Sequence, residues 1–326
     1  MRQSSRMSQP ATSRDLKEPY QCASRVLVVR PGSFGRNEAA AASNAFMHAT
    51  DADVSDVADL ARRETDALAG ALIAAGVEVL IDDEPDLPDS VFPNNWMSYH
   101  QPAASPPVLI TYPMATALRR LERRESTIAR IAALSDGILV RINLEHLESR
   151  NEIVEGTGAL VLDRVAGVAF ACRSSRATDG ALDAWSHATG YEVVRFDAID
   201  ASGTPVYHTN VLMSIGAELA VFAPETVPSP AERRTVLDRL EALNKQVLDI
   251  TLAQMGEMCA NVLELRTTSS EPVMAMSERA RQGFTPAQRK SIERVAAIVA
   301  PPIPTIETIG GGSVRCMIAE LGGSSP

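Results

Sequence analysis

A cysteine stands near the C-terminus in the run IGGGSVRCMIAEL, with Cys316 four residues beyond Gly310-Gly311-Gly312. Consecutive glycines let a backbone take positive φ and come close to a ligand. A cysteine attacks through its thiolate, and the adjacent Arg315 favours that form if its charge lies nearby. The same segment also reads as a buried strand in which Cys316 is only a small hydrophobe, as most free cysteines are. The proton carrier for such a nucleophile is most often histidine. Of the five histidines, His208 in VYHTNVLM is the one with apolar framing at the start of a strand-like run; His48, His100, His146 and His187 sit in helix-like or loop surroundings. In NEIVEGTGALVLD, Glu155 precedes Gly156-Thr157-Gly158, where it could orient a histidine, bind a polar substrate, or simply be a solvated turn residue. This G-T-G is no phosphate loop, because no Lys-Ser/Thr follows it. In SVFPNNWMSYH, Asn94 and Asn95 stand among Phe92, Trp96 and Tyr99, and a buried amide is unfavourable unless paired. Turn chemistry at Pro93-Asn94 accounts for the first asparagine. It leaves Asn95 to be explained.

The elements that must position these residues alternate in a regular order. RVLVVR (25–30) reads as a buried strand ended by Pro31-Gly32, residues 56–76 as a helix stopped at Gly76, and VEVLI (77–81) as a strand. VFPNNWMSYH (91–100) and PVLITYPM (107–114) precede a helix over 118–134. EGTGALVLDR (155–164) and VAFACRS (168–174) form a hairpin, followed by a helix over 182–190 and the strand YEVVRF (191–196). HTNVLMSIG (208–216) and ELAVFAP (218–224) lead to a helix over 231–246 and the strand VLDIT (247–251). ANVLELR (260–266) and PVMAMS (272–277) lead to a helix over 285–297, and SVRCMIAEL (313–321) returns as a strand. A strand–strand–helix–strand unit thus recurs every roughly 50–60 residues, a period typical of propeller-like or arrayed folds. An ordinary layered α/β sheet is the alternative, but paired strands between helices predict antiparallel hairpins instead.

Composition narrows the function classes. With 326 residues, 45% of them hydrophobic, the chain can bury one large core or two ordinary ones. A formal net charge of −10 and the lack of a basic stripe argue against a nucleic-acid partner. No apolar run approaches the ~20 residues of a membrane span. Residues 1–22 are polar and read as a disordered tail without a secretory signal, leaving 23–326 as one catalytic domain. Cys22, Cys172, Cys259 and Cys316 are scattered, with neither zinc-site nor disulfide spacing, so a reducing, cytoplasmic setting is expected.

Six ordered segments, RVLVVRPGSFGRN, FPNNW, PMATALRRLE, EGTGALVLDR, YHTNVLM and GGGSVRCM, resemble the pentein superfamily of arginine deiminases and amidinotransferases, and most of all its citrulline-utilisation hydrolases. The resemblance spans residues 25–321. It implies a five-bladed, pseudo-symmetric α/β propeller of β-β-α-β units. It also implies that Cys316 is the nucleophile, His208 the general acid/base and Glu155 the catalytic glutamate of an E-G-G-D motif. Arginine-processing members carry F-x-R-D where this chain has Phe92-Pro93-Asn94-Asn95, and H-x-D where it has His208-Thr209-Asn210; the aspartate of E-G-G-D is replaced by Gly158. Those aspartates grip a guanidinium, which offers only donors and favours carboxylates. An asparagine offers a donor and an acceptor, as a neutral ureido group does. Asn95 and Asn210, with Asn94 beside them, therefore point to a ureido substrate such as citrulline. Arg176 in SSRAT resembles the family's α-carboxylate anchor, and either Arg119 or Arg120 a second one, although the arginine-rich stretch 119–130 also reads as a solvated helix face.

The expected mechanism is covalent and needs no metal or cofactor. Cys316 attacks the ureido carbon, His208 protonates the departing ornithine nitrogen, and water then cleaves an S-carbamoyl enzyme to ammonia and carbon dioxide. The partner is a small amino acid, with no nucleic acid and no membrane; the oligomeric state, a homo-oligomer included, stays open. The alternatives are an arginine or methylarginine deiminase, an amidinotransferase, or a non-catalytic amino-acid-binding protein on the same scaffold.

Overall fold

The unbroken apolar run RVLVVR forms β1 (Arg25–Pro31), whose centre is fully buried, as expected of a strand covered on both faces. In the computed structural model, which describes residues 20–49, 54–84, 87–102, 105–134 and 139–323, helix Val54–Ala74 carries the chain to β2 (Glu78–Glu84). The two strands pair in parallel with Val26 opposite Val79. The helix stops at Gly76, whose φ of 94° suits glycine, and Val77 N–H reaches back to the Leu72 carbonyl at 3.0 Å.

Three units of one order follow, and a fourth ends the series. β3 (Met97–His100) pairs antiparallel with β4 (Val108–Thr111), which pairs in parallel with β5 (Val140–Asn143). The same pattern joins β6 (Val161–Asp163), β7 (Val168–Cys172) and β8 (Glu192–Phe196). It recurs in β9 (Met213–Ile215), β10 (Leu219–Phe222) and β11 (Gln246–Asp249). It recurs again in β12 (Leu263–Arg266), β13 (Pro272–Ala275) and β14 (Ala297–Val299). Finally β15 (Ile318–Glu320) returns to the first sheet, antiparallel to β1, with Ile318 opposite Val28. Five three-stranded sheets result. Each parallel pair needs a crossover, which helices Glu125–Ala133, Asp179–Thr189, Pro230–Ala242 and Pro286–Glu293 supply in the last four sheets. Proline at the first helical position and a serine or threonine cap start the last two. The leading strands of successive units pack side by side, β15 on β3, β6 on β9 and β9 on β12.

Several expectations shift in detail. The helix expected over 118–134 is two pieces, Ala117–Arg120 and Glu125–Ala133, because the intervening residues turn to separate partners. Arg123 donates to the Tyr112 carbonyl at 2.9 Å, and Arg124, in extended backbone, to that of Asp83 at 2.8 Å. Arg119, Arg123 and Arg124 are thus held by the fold, while Glu125, Ser126, Ala129 and Arg130 do form an exposed helix face. The helix expected over 285–297 ends at Glu293, residues 294–296 turn, and Ala297 begins β14. The strands expected to start at 91, 155, 208 and 313 each begin with a short helical turn, at Pro93–Asn95, Gly156–Ala159, Thr209–Val211 and Val314–Met317. Of the supposed tail, residues 1–19 lie outside the described residues. Tyr20 to Cys22 belong to the fold: Gln21 Nε2 donates to the Leu162 carbonyl at 2.9 Å and the Ile215 carbonyl at 3.2 Å, and Cys22 is buried. No helix among the described residues is long and apolar enough to cross a membrane.

Candidate active site

The turns that interrupt the expected strands hold the chemistry-bearing residues. The residues just ahead of the leading strands converge. Asn95 stands two residues before β3, Asn261 two before β12 and Cys316 two before β15. Asn210 lies in the turn before β9 with His208 as its cap, and Glu155 caps the turn before β6. All six are buried.

Glu155 is the hub. Its Oε2 lies 2.9 Å from His208 Nε2 and 3.4 Å from an Arg176 nitrogen, and its Oε1 accepts the Ala115 N–H at 3.0 Å. Arg119 is 3.9 Å away. Burial alone would push this carboxyl up, but Arg176, the His208 hydrogen bond and Arg119 together hold it well below the usual carboxylate range. His208 moves the other way. Burial lowers it to about 4, against the pull of Glu155 and with help from Arg176 and Arg119. The resting imidazole is therefore neutral near pH 7. With Glu155 ionised, the network assigns the ring proton to Nε2 and leaves Nδ1 as the acceptor.

Gly158 makes this closeness possible. A Cβ there would sit 2.8 Å from His208 Nδ1 and nearer still to Asn95 Nδ2. Neither neighbour can yield, since Asn95 Oδ1 accepts from Arg119 at 2.7 Å and His208 is held by Glu155. At the sulfur, Asn210 Nδ2 and Asn261 Nδ2 both donate to Cys316 Sγ, at 3.3 and 3.2 Å.

Cys316, His208, Asn95, Arg119 and Arg176 line one cavity together with Asp89, Phe92 and Tyr207, while Ala40, Asn44 and Met47 cover it. Its volume of about 20 Å³ holds a water, which needs roughly 10–15 Å³, and no amino acid. Arg176 ties the cover down: it donates to the Ala40 carbonyl at 2.8 Å and to Ser43 Oγ at 2.9 Å, with its guanidinium 4.9 Å from the centre of the Tyr207 ring. Asp89 accepts from Asn37 at 2.8 Å, and burial raises its carboxyl against the lowering effect of Arg119. Glu122 pairs with Arg119 through two bonds, at 2.9 and 2.8 Å, and burial pushes it up to about 7. A larger cavity, about 400 Å³, opens beside the far ends of β3 and β6 along His100, Arg164, Tyr20 and Tyr191. It holds no cysteine and no carboxylate. The small one gathers Cys316, His208, Asn95, Arg119 and Arg176.

Four candidates do not line the small cavity. Glu155 and Asn210 stand just behind, bonded to His208 and to Cys316 Sγ. Arg120 donates to the Met114 carbonyl at 3.0 Å, pairs with Glu148 at 3.2 Å and is one-third exposed, so the choice after P-M is Arg119. Asn94 is buried but does not line the cavity; its Oδ1 accepts from Asn95 Nδ2 at 3.1 Å. Sequence reasoning missed Asn261, Asp89, Glu122 and Tyr207. The shared offset of Asn95, Asn261 and Cys316 from their strands was the available signal for the first. Among the described residues no group of three or more His, Cys, Asp and Glu side chains is arranged to hold a metal ion.

A sequence model described as N,N dimethylarginine dimethylhydrolase, eukaryotic, matches residues 30–322. No curated protein matches. Among solved structures, the N-terminal domain of ArgZ, a cyanobacterial arginine dihydrolase of the ornithine–ammonia cycle, bound to substrate, superposes with a TM-score of 0.69 at 13% identity, covering 92% of this chain and 98% of that domain. The chain spans 41% of full-length ArgZ. Unliganded AgrE gives 0.69 at 15% identity over 92% of this chain and 39% of its own. A dimethylarginine dimethylaminohydrolase carrying an S-methyl-L-thiocitrulline adduct gives 0.59 at 17% identity, over 91% and 99%. At these identities the likeness is one of fold.

Proposed function

Because the chain belongs to the N,N dimethylarginine dimethylhydrolase family of the pentein superfamily, we propose that it is a cysteine-dependent hydrolase of the ureido group of citrulline or a close analogue, yielding ornithine, ammonia and carbon dioxide. The observation that carries this reading is the chemistry of the three departures: amides at Asn95 and Asn210, and a Gly158 with no room for a side chain. A neutral ureido carbonyl would meet repulsion from carboxylates there and finds donors and acceptors in amides. The same cavity keeps its charges, with Arg119 and Arg176 to pair with a carboxylate once their present partners give way and Asp89 to pair with an ammonium. On the same reading the five sheets are the blades of one propeller, a single catalytic domain that takes in Tyr20 to Cys22 as well.

In the proposed mechanism the cover over Ala40 to Met47 opens and substrate enters. The Cys316 proton passes to His208 Nδ1 as sulfur bonds to the ureido carbon. The imidazolium so formed is held by ionised Glu155 at 2.9 Å. His208 returns that proton to the substrate nitrogen, the C–N bond breaks with its electron pair going to nitrogen, and ornithine leaves an S-carbamoyl enzyme. Water then loses a proton to His208 and attacks the same carbon, the C–S bond breaks with its electron pair going to sulfur, sulfur takes the proton back from His208, and the carbamic acid released decomposes to ammonia and carbon dioxide. A neutral resting histidine suits this order, since it must first accept a proton.

A second reading, hydrolysis at a guanidino group, draws support from Glu155, a carboxylate that stays ionised beside the nucleophile's histidine. Purified protein incubated with citrulline, arginine and methylated arginines separates the two, with products followed by mass spectrometry. Ornithine from citrulline is expected, and Cys316→Ala abolishes it with the fold intact. Turnover of arginine equal to or better than that of citrulline would sink the ureido assignment.

A further inference from the structure

Asn261 lies outside every motif that drew attention in the sequence, yet it touches the sulfur. Its side chain is fully buried, and its Nδ2 donates both to Cys316 Sγ at 3.2 Å and to the main-chain carbonyl of Asn210 at 3.1 Å. That carbonyl can only accept, so it fixes which way the amide faces; turned over, Asn261 would set its oxygen against the carbonyl, acceptor against acceptor. From the turn before β9, Asn210 Nδ2 adds a second donor to the same sulfur at 3.3 Å. The side-chain oxygens of both asparagines are buried without partners.

This is an unfavourable way to pack an inert thiol. A neutral thiol is a weak acceptor, and both amides spend their donors on it while their buried oxygens find no protein donor. The arrangement gains only when the sulfur is negative, since hydrogen bonds to a charged partner are roughly twice as strong as neutral ones. We propose that Asn261 is a catalytic residue, acting with Asn210 as a two-donor clamp. The clamp takes up negative charge on Cys316 when its proton passes to His208, and again when the sulfur is expelled from the S-carbamoyl intermediate. The proposal rests on Cys316 being the nucleophile, and it is independent of which ureido or guanidino compound is cleaved.

The test is the pH dependence of Cys316 alkylation by iodoacetamide, located by mass spectrometry, in the wild type and in Asn261→Ala. The clamp requires the variant to react about tenfold more slowly at pH 7 and to converge on the wild-type rate near pH 10, where a thiol ionises without assistance. A deficit of the same factor at every pH means that Asn261 only positions the sulfur, and overturns the clamp. So does an unchanged profile. Asn261→Asp is isosteric and replaces the donor by an acceptor; it must show the same loss at pH 7, which keeps the test decisive if the alanine variant does not fold. Wild-type alkylation that prefers Cys22, Cys172 or Cys259 over Cys316 removes the nucleophile and the clamp with it. An intact alkylation contrast in a protein that leaves citrulline untouched removes only the substrate assignment.

Discussion

His208 should make this protein less stable as the solution turns mildly acidic, and by an amount that can be worked out. An ordinary histidine titrates near 6.5; His208 does so at about 4, chiefly because burial penalises its charged form. Between those values the unfolded chain holds a proton at this position that the folded chain refuses. The unfolded state thus binds more protons, so stability rises with pH across the window and falls as pH drops. At about 1.4 kcal/mol per pH unit, the whole window is worth ~3 kcal/mol and the step from pH 6.5 to 5 about 2 kcal/mol. His100, also buried and held well below its ordinary value by burial and then by Arg164, adds a slope of the same sign. Glu155, held low, contributes stability above the unfolded carboxylate range that is lost only in stronger acid. The comparison is therefore between proteins. In His208→Gln the side-chain amide can still donate to Glu155 and nothing titrates. Urea unfolding at pH 7.5 and at pH 5 should show the wild type losing about 2 kcal/mol more than the variant over that interval. Parallel losses in the two proteins would refute the claim that His208 is neutral at rest, and with it the order of proton transfers proposed above.

Three further outcomes follow from the geometry. Gly158→Ala forces a methyl against His208 and Asn95, both pinned, so it should lower stability by ~1–3 kcal/mol and turnover at least a hundredfold, read by unfolding and steady-state assays. Arg119→Met strands Glu122, Asp89 and Glu155 in the interior and should cost about 3–5 kcal/mol, whereas Arg120→Met should stay within about 0.5 kcal/mol with KM unchanged. Glu155→Gln removes the charge that holds the imidazolium, and kcat should fall by roughly 10²–10⁴ at neutral pH, where the wild-type carboxylate is fully ionised.

The repeat was legible because its strands are apolar runs with turn residues between them, as in RVLVVR and ELAVFAP, and because Gly76 and Gly190 end their helices in left-handed backbone. The turns ahead of the leading strands were not legible. TGALVLD and TNVLMSI alternate well enough to read as strand throughout, and nothing local marks the residues that must lift out of the sheet to face a cavity. The arginine run after Pro113 misled for another reason. Arg119 and Arg120 are neighbours of one type, and only the fold sends one to Asn95 and Glu122 and the other to Glu148. Asn261 was hidden by distance, since its partners are 51 and 55 residues away in the chain.

Charge and amide chemistry meet at the cavity. Arg119, Arg176 and Asp89 line it, and their charges suit the carboxylate and ammonium shared by any α-amino acid and so say little about the side chain beyond. Three positions that could have held carboxylates hold Asn95, Asn210 and Gly158, with Asn95 on the cavity wall and Asn210 behind Cys316. Both amides are already committed, Asn95 Oδ1 to Arg119 and Asn210 Nδ2 to Cys316 Sγ. Reverting either to aspartate therefore does more than add charge for a guanidinium. At 95 it tightens an existing pair with Arg119. At 210 it turns a donor at the sulfur into an acceptor and works against the nucleophile whatever the substrate. A gain of activity on arginine is thus expected from Asn95→Asp alone, measured as the ratio of kcat/KM for arginine to that for citrulline. Asn210→Asp should instead depress both. Equal behaviour of the two variants would mean that the amides select substrate by charge only, with no part in holding the sulfur.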